Sequence, residues 1–139
     1  TGYVLYSMAF TAGAHLLFAA AFFPGLPALR ASGIRFVFVG AFLLYAVLFG
    51  GFIASYVPSR MFTPVVFYMI ALSLSAGMAV LSRYPLMLVA GVFCFVLDDS
   101  IFSWHLFVSS IPANHFLTWP SYIAGQTLVT LGFLKGRED

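Results

Sequence analysis

Two adjacent carboxyls, Asp98 and Asp99, end an otherwise apolar run, Gly91-Val92-Phe93-Cys94-Phe95-Val96-Leu97. A carboxyl pair suits acid/base chemistry, because one member gives up a proton while the other carries negative charge. A charged side chain near the centre of a membrane helix costs about 2.5–3.5 kcal/mol, so such a pair is expensive to keep. Two ionised neighbours without partners are not sustainable there. The expected resting state is one protonated and one ionised Asp. The competing reading makes both neutral, bonded to Ser, Tyr or Gln of neighbouring helices as packing contacts. Helical spacing puts Ser103 four residues after Asp99 and His105 seven after Asp98, on the corresponding faces. His105 follows Trp104 near the expected interface, where polar-tipped rings are common, and that plainer reading is favoured over a proton partner.

Downstream, Tyr122 and Gln126 are spaced i to i+4, with Ser121 one residue earlier, so a hydroxyl and an amide share one face. They form either an interhelical hydrogen-bond cluster, at about 0.6–2 kcal/mol per bond, or a substrate contact. His15 is a lone mid-helix histidine, and Tyr45 and Tyr68 are single hydroxyls in apolar segments. His15, His105 and His115 lack the H-x-x-x-H spacing of a metal site, so neither metal nor other cofactor is expected. The single cysteine, Cys94, permits no internal disulfide and reads as a small buried hydrophobe. G-x-S-x-G, Walker and H-E-x-x-H motifs do not occur, which removes support for serine-hydrolase and nucleotide-dependent chemistry.

The elements that must hold these residues follow from composition. The 139 residues are 63% hydrophobic and 7% charged, too apolar to build a water-facing shell around a soluble domain. The formal charge of +2 comes without a basic run, so nucleic acid is not expected as a partner. About 20 apolar residues span the hydrocarbon core, and five segments meet or approach that length, near 3–23, 34–56, 61–81, 86–107 and 116–134. Breaks fall from Pro24 to Gly33, at Pro58-Ser59-Arg60, at Ser82-Arg83-Tyr84-Pro85, and between Ser109 and His115. Lipid demands internally satisfied backbones, and the segments lack the period-two alternation of barrel strands. The expectation is an all-α integral membrane protein, a polytopic bundle of five transmembrane helices forming one domain over 1–139. Arg30, Arg35, Arg83, Lys135 and Arg137 fall on one side and Arg60 on the other, which places the C-terminus in the cytoplasm and Thr1 outside. A membrane protein starting outside without an initiator Met reads as lacking N-terminal helices. Short loops favour a bacterial inner membrane, although the endoplasmic reticulum gives the same charge asymmetry.

The run 91–100, followed by Phe107, Pro112 and Ser121-Tyr122-Ile123-Ala124-Gly125-Gln126, resembles the C-terminal signature of the YhhN-like lysoplasmalogenases. In that signature an apolar helix with a Ser-Asp pair is followed by a Pro loop and a Thr-Tyr-Tyr-x-x-Gln helix. The stretch from Gly2-Tyr3 through Phe10 to Phe22, with central His15, is similar to the family's His-bearing helix, while 34–80 registers only through Tyr45 and Tyr68. The resemblance implies an eight-helix membrane hydrolase, of which this chain holds the last five helices. It also implies cleavage of the vinyl ether bond of a lysophospholipid substrate to a fatty aldehyde and a glycerophospho-base, among membrane lipids. The family's catalytic Asp matches Asp99, with a second acid in the absent part; Asp98 replaces its Ser and Ile123 its second Tyr. His15, Tyr68, Ser121, Tyr122 and Gln126 are then substrate-binding candidates beside the catalytic candidates Asp99 and Asp98. A proton- or ion-coupled transporter using the two acids, and a non-catalytic scaffold, are the alternatives. The oligomeric state is left open.

Overall fold

The computed structural model describes residues 2–24 and 33–138. Arg30 and most of the break expected before α2, including Pro27, lie outside the described residues. Those described form five helices and no strand: α1 Gly2–Phe22, α2 Gly33–Ala54, α3 Ser59–Leu81, α4 Leu86–Phe107 and α5 His115–Glu138. The largest departure from the sequence expectation is the end of α5, which runs on to Glu138 instead of stopping near 134. Pro58 and Pro85 stand immediately before α3 and α4, with φ of −58° and −62°. Proline is at home there, because its ring presets the turn and its missing N–H is not needed by the helix.

Helices α1 to α4 are each long and apolar enough to cross a membrane. The fifth, α5, has the length but carries Thr118, Ser121, Tyr122, Gln126, Thr127 and Thr130, and is the least apolar of the five. Polar side chains concentrate on the helix that packs against the one bearing the carboxyls.

The chain divides into two compact units, 1–82 and 83–139. In the first, α3 is the shared partner of α1 and α2. The buried face of α1 is Ala12, His15, Ala19 and Phe22, spaced three, four and three residues apart, a narrow stripe in which the two alanines let α3 come close. Helix α3, between its two partners, buries Val65, Ala71, Ser75, Ala76 and Ala79. Large exposed side chains such as Tyr3, Phe10 and Leu17 occupy the outer face of α1, as suits contact with lipid. On α2, a Cβ at Gly50 would meet the Met69 methyl, a flexible end that can swing aside.

Arg35 does more than bias topology. Its Nη1 donates to the carbonyl oxygens of Val80, at 3.1 Å, and Ser82 at the C-terminus of α3. Those carbonyls lie where a helix leaves acceptors unbonded and carries partial negative charge, so a guanidinium there satisfies both. Arg35→Ala is expected to lower the stability of this unit by about 1.5–3 kcal/mol, the range for a charge-assisted hydrogen bond. Thermal unfolding in detergent checks this, and a transition equal to that of the wild type would contradict it.

Candidate functional site

The second unit pairs α4 with α5 through glycine. A Cβ at Gly132 would lie 2.6 Å from the Leu88 amide nitrogen, one at Gly91 2.7 Å from that of Val129, and one at Gly125 2.8 Å from the Phe95 ring. At Gly136 the clash would be with Tyr84, at 2.5 Å. At Gly132 and Gly91 the clash is with backbone, so only hydrogen fits there, and the two backbones approach closely as in small-residue membrane interfaces. The contacts share one antiparallel register. Tyr84, Leu88, Gly91 and Phe95 meet Gly136, Gly132, Val129 and Gly125 in turn. Both stripes are spaced four, three and four residues apart, the spacing that keeps one helix face on its partner.

Continued outward, this register brings Asp98 level with Tyr122 and Asp99 level with Ser121. The ring contact between Phe95 and Tyr122, with centroids 5.9 Å apart and planes at 54°, marks where the apolar seam gives way to the polar one. Asp98 and Asp99 are half-buried, with Oδ2 of Asp99 fully enclosed, and Tyr122 is 41% exposed. Gln126 Nε2 donates to Tyr122 Oη at 3.1 Å, which leaves the phenol proton to be given elsewhere. Ser121 spends its proton on the Leu117 carbonyl, at 3.0 Å, and offers lone pairs only. Ser100, next to the acids, turns its hydroxyl back to the Val96 carbonyl. Helix α4 runs unbroken through Asp98 and Asp99.

The loop beyond the acids is closed by side chains. His105 Nδ1 accepts the Ile111 N–H at 2.9 Å, and Trp104 Nε1 donates to Ser109 Oγ at 2.9 Å. An accepting Nδ1 makes His105 a neutral ring protonated at Nε2, with a structural task in the loop. Ala113, at φ 51°, turns the chain into α5, and its carbonyl receives the Phe116 N–H at 2.9 Å.

In the first unit the structure joins His15 and Tyr68 edge to face, with centroids 5.9 Å apart and planes at 85°. Sequence reasoning passed over Ser75, which sits 3.2 Å from His15 Nδ1, because nothing in the stretch 72–77 sets it apart from Ser73. It also passed over Phe95 and the glycine stripe, although the spacing of Gly125, Gly132 and Gly136 was a readable signal. Among the described residues no three His, Cys, Asp or Glu side chains gather to hold a metal ion.

Fold and site together define an all-helical integral membrane protein with a carboxyl pair carried inside a membrane-length helix, beside a hydroxyl- and amide-bearing partner helix. The chain belongs to the YhhN family, whose sequence model matches residues 1–133. It is 38% identical over 76 residues to proteins named lysoplasmalogenase from Mycobacterium bovis and from Mycobacterium tuberculosis. Each match covers 54% of this chain and 29% of the relative. No solved structure matches the chain.

Proposed function

We propose that the protein is a lysoplasmalogenase-like hydrolase that cleaves the vinyl ether bond of a lysophospholipid within the membrane. The observation that carries this reading is the carboxyl pair of α4, held by the glycine seam level with Tyr122 and Ser121. The reaction makes definite demands. An acid must protonate the alkene carbon remote from oxygen, which leaves an oxocarbenium ion that negative charge stabilises. Water then adds to the oxygen-bearing carbon and loses a proton, and the hemiacetal collapses to a fatty aldehyde and the glycerophospho-base. Two carboxyls in different states meet these demands in turn.

Asp99 is assigned the proton donor. It is the carboxyl that matches the family's catalytic Asp, and it shares the polar end of the seam with Ser121. Asp98, next to it on α4, supplies or tunes the negative charge. Gln126 holds the Tyr122 hydroxyl in its donating orientation. His15 and Tyr68 of the first unit are proposed as polar contacts for the lipid. The C-terminus is assigned to the cytoplasmic side on the distribution of Arg and Lys. The unbroken α4 supports hydrolysis over ion-coupled transport, whose binding sites favour interrupted helices.

The test is aldehyde release from lysoplasmalogen, with an ester lysophospholipid as control, in membranes carrying this chain and, separately, the protein extended upstream. Release from the vinyl ether alone is expected in at least the extended form. Folded protein that releases no aldehyde in either form would overturn the hydrolase reading in favour of transport.

A further inference from the structure

The loop between α4 and α5 fixes which proton His105 carries, and with it what that ring offers a ligand. His105 stands in the last turn of α4, and its Nδ1 accepts the Ile111 N–H at 2.9 Å. A second brace, from Trp104 Nε1 to Ser109 Oγ at 2.9 Å, ties the same loop to the residue before it. An amide N–H only donates, so Nδ1 must present its lone pair, and a proton added there would break the bond. The neutral ring therefore carries its one proton on Nε2. That N–H has no hydrogen-bond partner among the described residues, and the side chain is half-buried. While the loop bond holds, the ring does not collect a proton at Nδ1 and pass it on from Nε2, which removes it as a relay to the acids. What it offers is one hydrogen bond to a group that accepts.

We propose that His105 Nε2–H binds a phosphate oxygen of the lysolipid and so brings the vinyl ether bond level with Asp98. The proposal rests on the hydrolase reading above and draws only on the unit 83–139. Asp98 and His105 are seven residues apart on one unbroken helix, which puts them on the same face and about 10.5 Å apart along the axis. In a lysoplasmalogen, seven bonds separate the carbon that becomes the oxocarbenium centre from a phosphate oxygen. An extended chain advances about 3.3–3.6 Å per three bonds, so this stretch covers about 8 Å. A hydrogen bond to the ring adds about 2.9 Å, and the substrate's own length then matches the rise between the two side chains. The glycerol hydroxyl, only four bonds from the same carbon, falls short of His105. Direction agrees as well: His105 lies at the end of a membrane-length helix and Asp98 two turns deeper, so a lipid held by its phosphate at His105 reaches the acids with its glycerol and sends its alkyl chain on toward the middle of the membrane. A phosphate oxygen is charged and only accepts, which makes the bond to Nε2–H one of the strong, charge-assisted kind.

The experiment compares, on the full-length protein in detergent, the binding of a 1-alkyl lysophospholipid, which lacks the cleavable double bond, with that of a 1-alkylglycerol, which also lacks the phosphate. Wild-type protein is expected to bind the phosphate-bearing lipid about tenfold or more tightly than the other. His105→Asn keeps an acceptor near the place of Nδ1 for the Ile111 N–H but has no group at the place of Nε2. It is expected to lose about 10- to 100-fold in affinity for the lysophospholipid and none for the alkylglycerol, the span of one hydrogen bond to a charged group. In spectra of 15N-labelled histidine, the wild-type His105 signal should show an acceptor Nδ1 and a protonated Nε2 whose resonance moves with the lysophospholipid and not with the alkylglycerol. Wild-type protein that binds the two lipids equally, an Nε2 resonance indifferent to the phosphate, or a His105→Asn protein that weakens for both lipids alike or for neither, overturns the proposal. None of these readouts needs turnover. Wild-type protein that binds the lysophospholipid as expected yet releases no aldehyde from lysoplasmalogen overturns the hydrolase reading and leaves the phosphate contact standing.

Discussion

Asp99→Asn is expected to lower aldehyde release from lysoplasmalogen by about 10²–10⁴-fold, the range for loss of a positioned proton donor. Asparagine keeps the shape and the polarity of the side chain but has no acidic proton to give to carbon. The loss should fall mainly on kcat, since protonation belongs to the transition state and substrate binding does not need it. Asp98→Asn is expected to cost less, because a charge that stabilises an oxocarbenium can be supplied in part by other groups whereas the proton donor cannot. Both variants should unfold at temperatures close to that of the wild type, since asparagine keeps the size of the side chain and both acids are half-buried. The measurement is steady-state aldehyde release at several lipid concentrations beside a thermal unfolding scan. An Asp99→Asn protein with undiminished turnover would remove the acid from the proposed mechanism.

How much of this was legible in the sequence depends on the kind of signal each residue gives. Membrane-length apolar runs broken by Pro58 and by Ser82 to Pro85 announce helices directly, since backbone groups in lipid have few other options. Asp98 and Asp99 announce themselves by cost. The close packing of α4 on α5 was encoded just as openly, in Gly125, Gly132 and Gly136, but recognising it requires knowing which helix lies opposite, and that pairing is a property of the fold. Arg35 illustrates another limit: its charge was readable as a topology signal, while its role at the end of α3 comes from bonds to carbonyls some 45 residues away. Ser75 is the extreme case. Nothing in the stretch 72–77 distinguishes it from an indifferent membrane serine, and its meaning appears only with His15 beside it.

Gly132→Ala should be the most destabilising alanine substitution among the described glycines, and its effect separates packing from helix propensity. Alanine is the better helix former, worth about 0.5–1 kcal/mol over glycine when nothing else changes. At Gly77, where a Cβ would meet nothing within 4 Å, that gain should appear as a modest rise in stability. At Gly132 the Cβ would lie 2.6, 2.7 and 2.8 Å from the Leu88 amide nitrogen, Cβ and Cα, and a backbone cannot rotate away as a side chain can. The helices must separate, which costs about 1–3 kcal/mol for overpacking, and the sign of the substitution reverses. Separation also lifts Tyr122 and Ser121 away from the level of the two acids, so turnover should fall with stability. Gly125→Ala provides the contrast within the same seam. Its Cβ meets mainly the Phe95 ring, at 2.8 Å, which can turn at smaller cost but lies against Tyr122, so activity should fall further than stability does. Thermal unfolding and aldehyde release measured on the three variants test the order, and a Gly132→Ala protein as stable as Gly77→Ala would mean that α4 and α5 do not meet through these glycines.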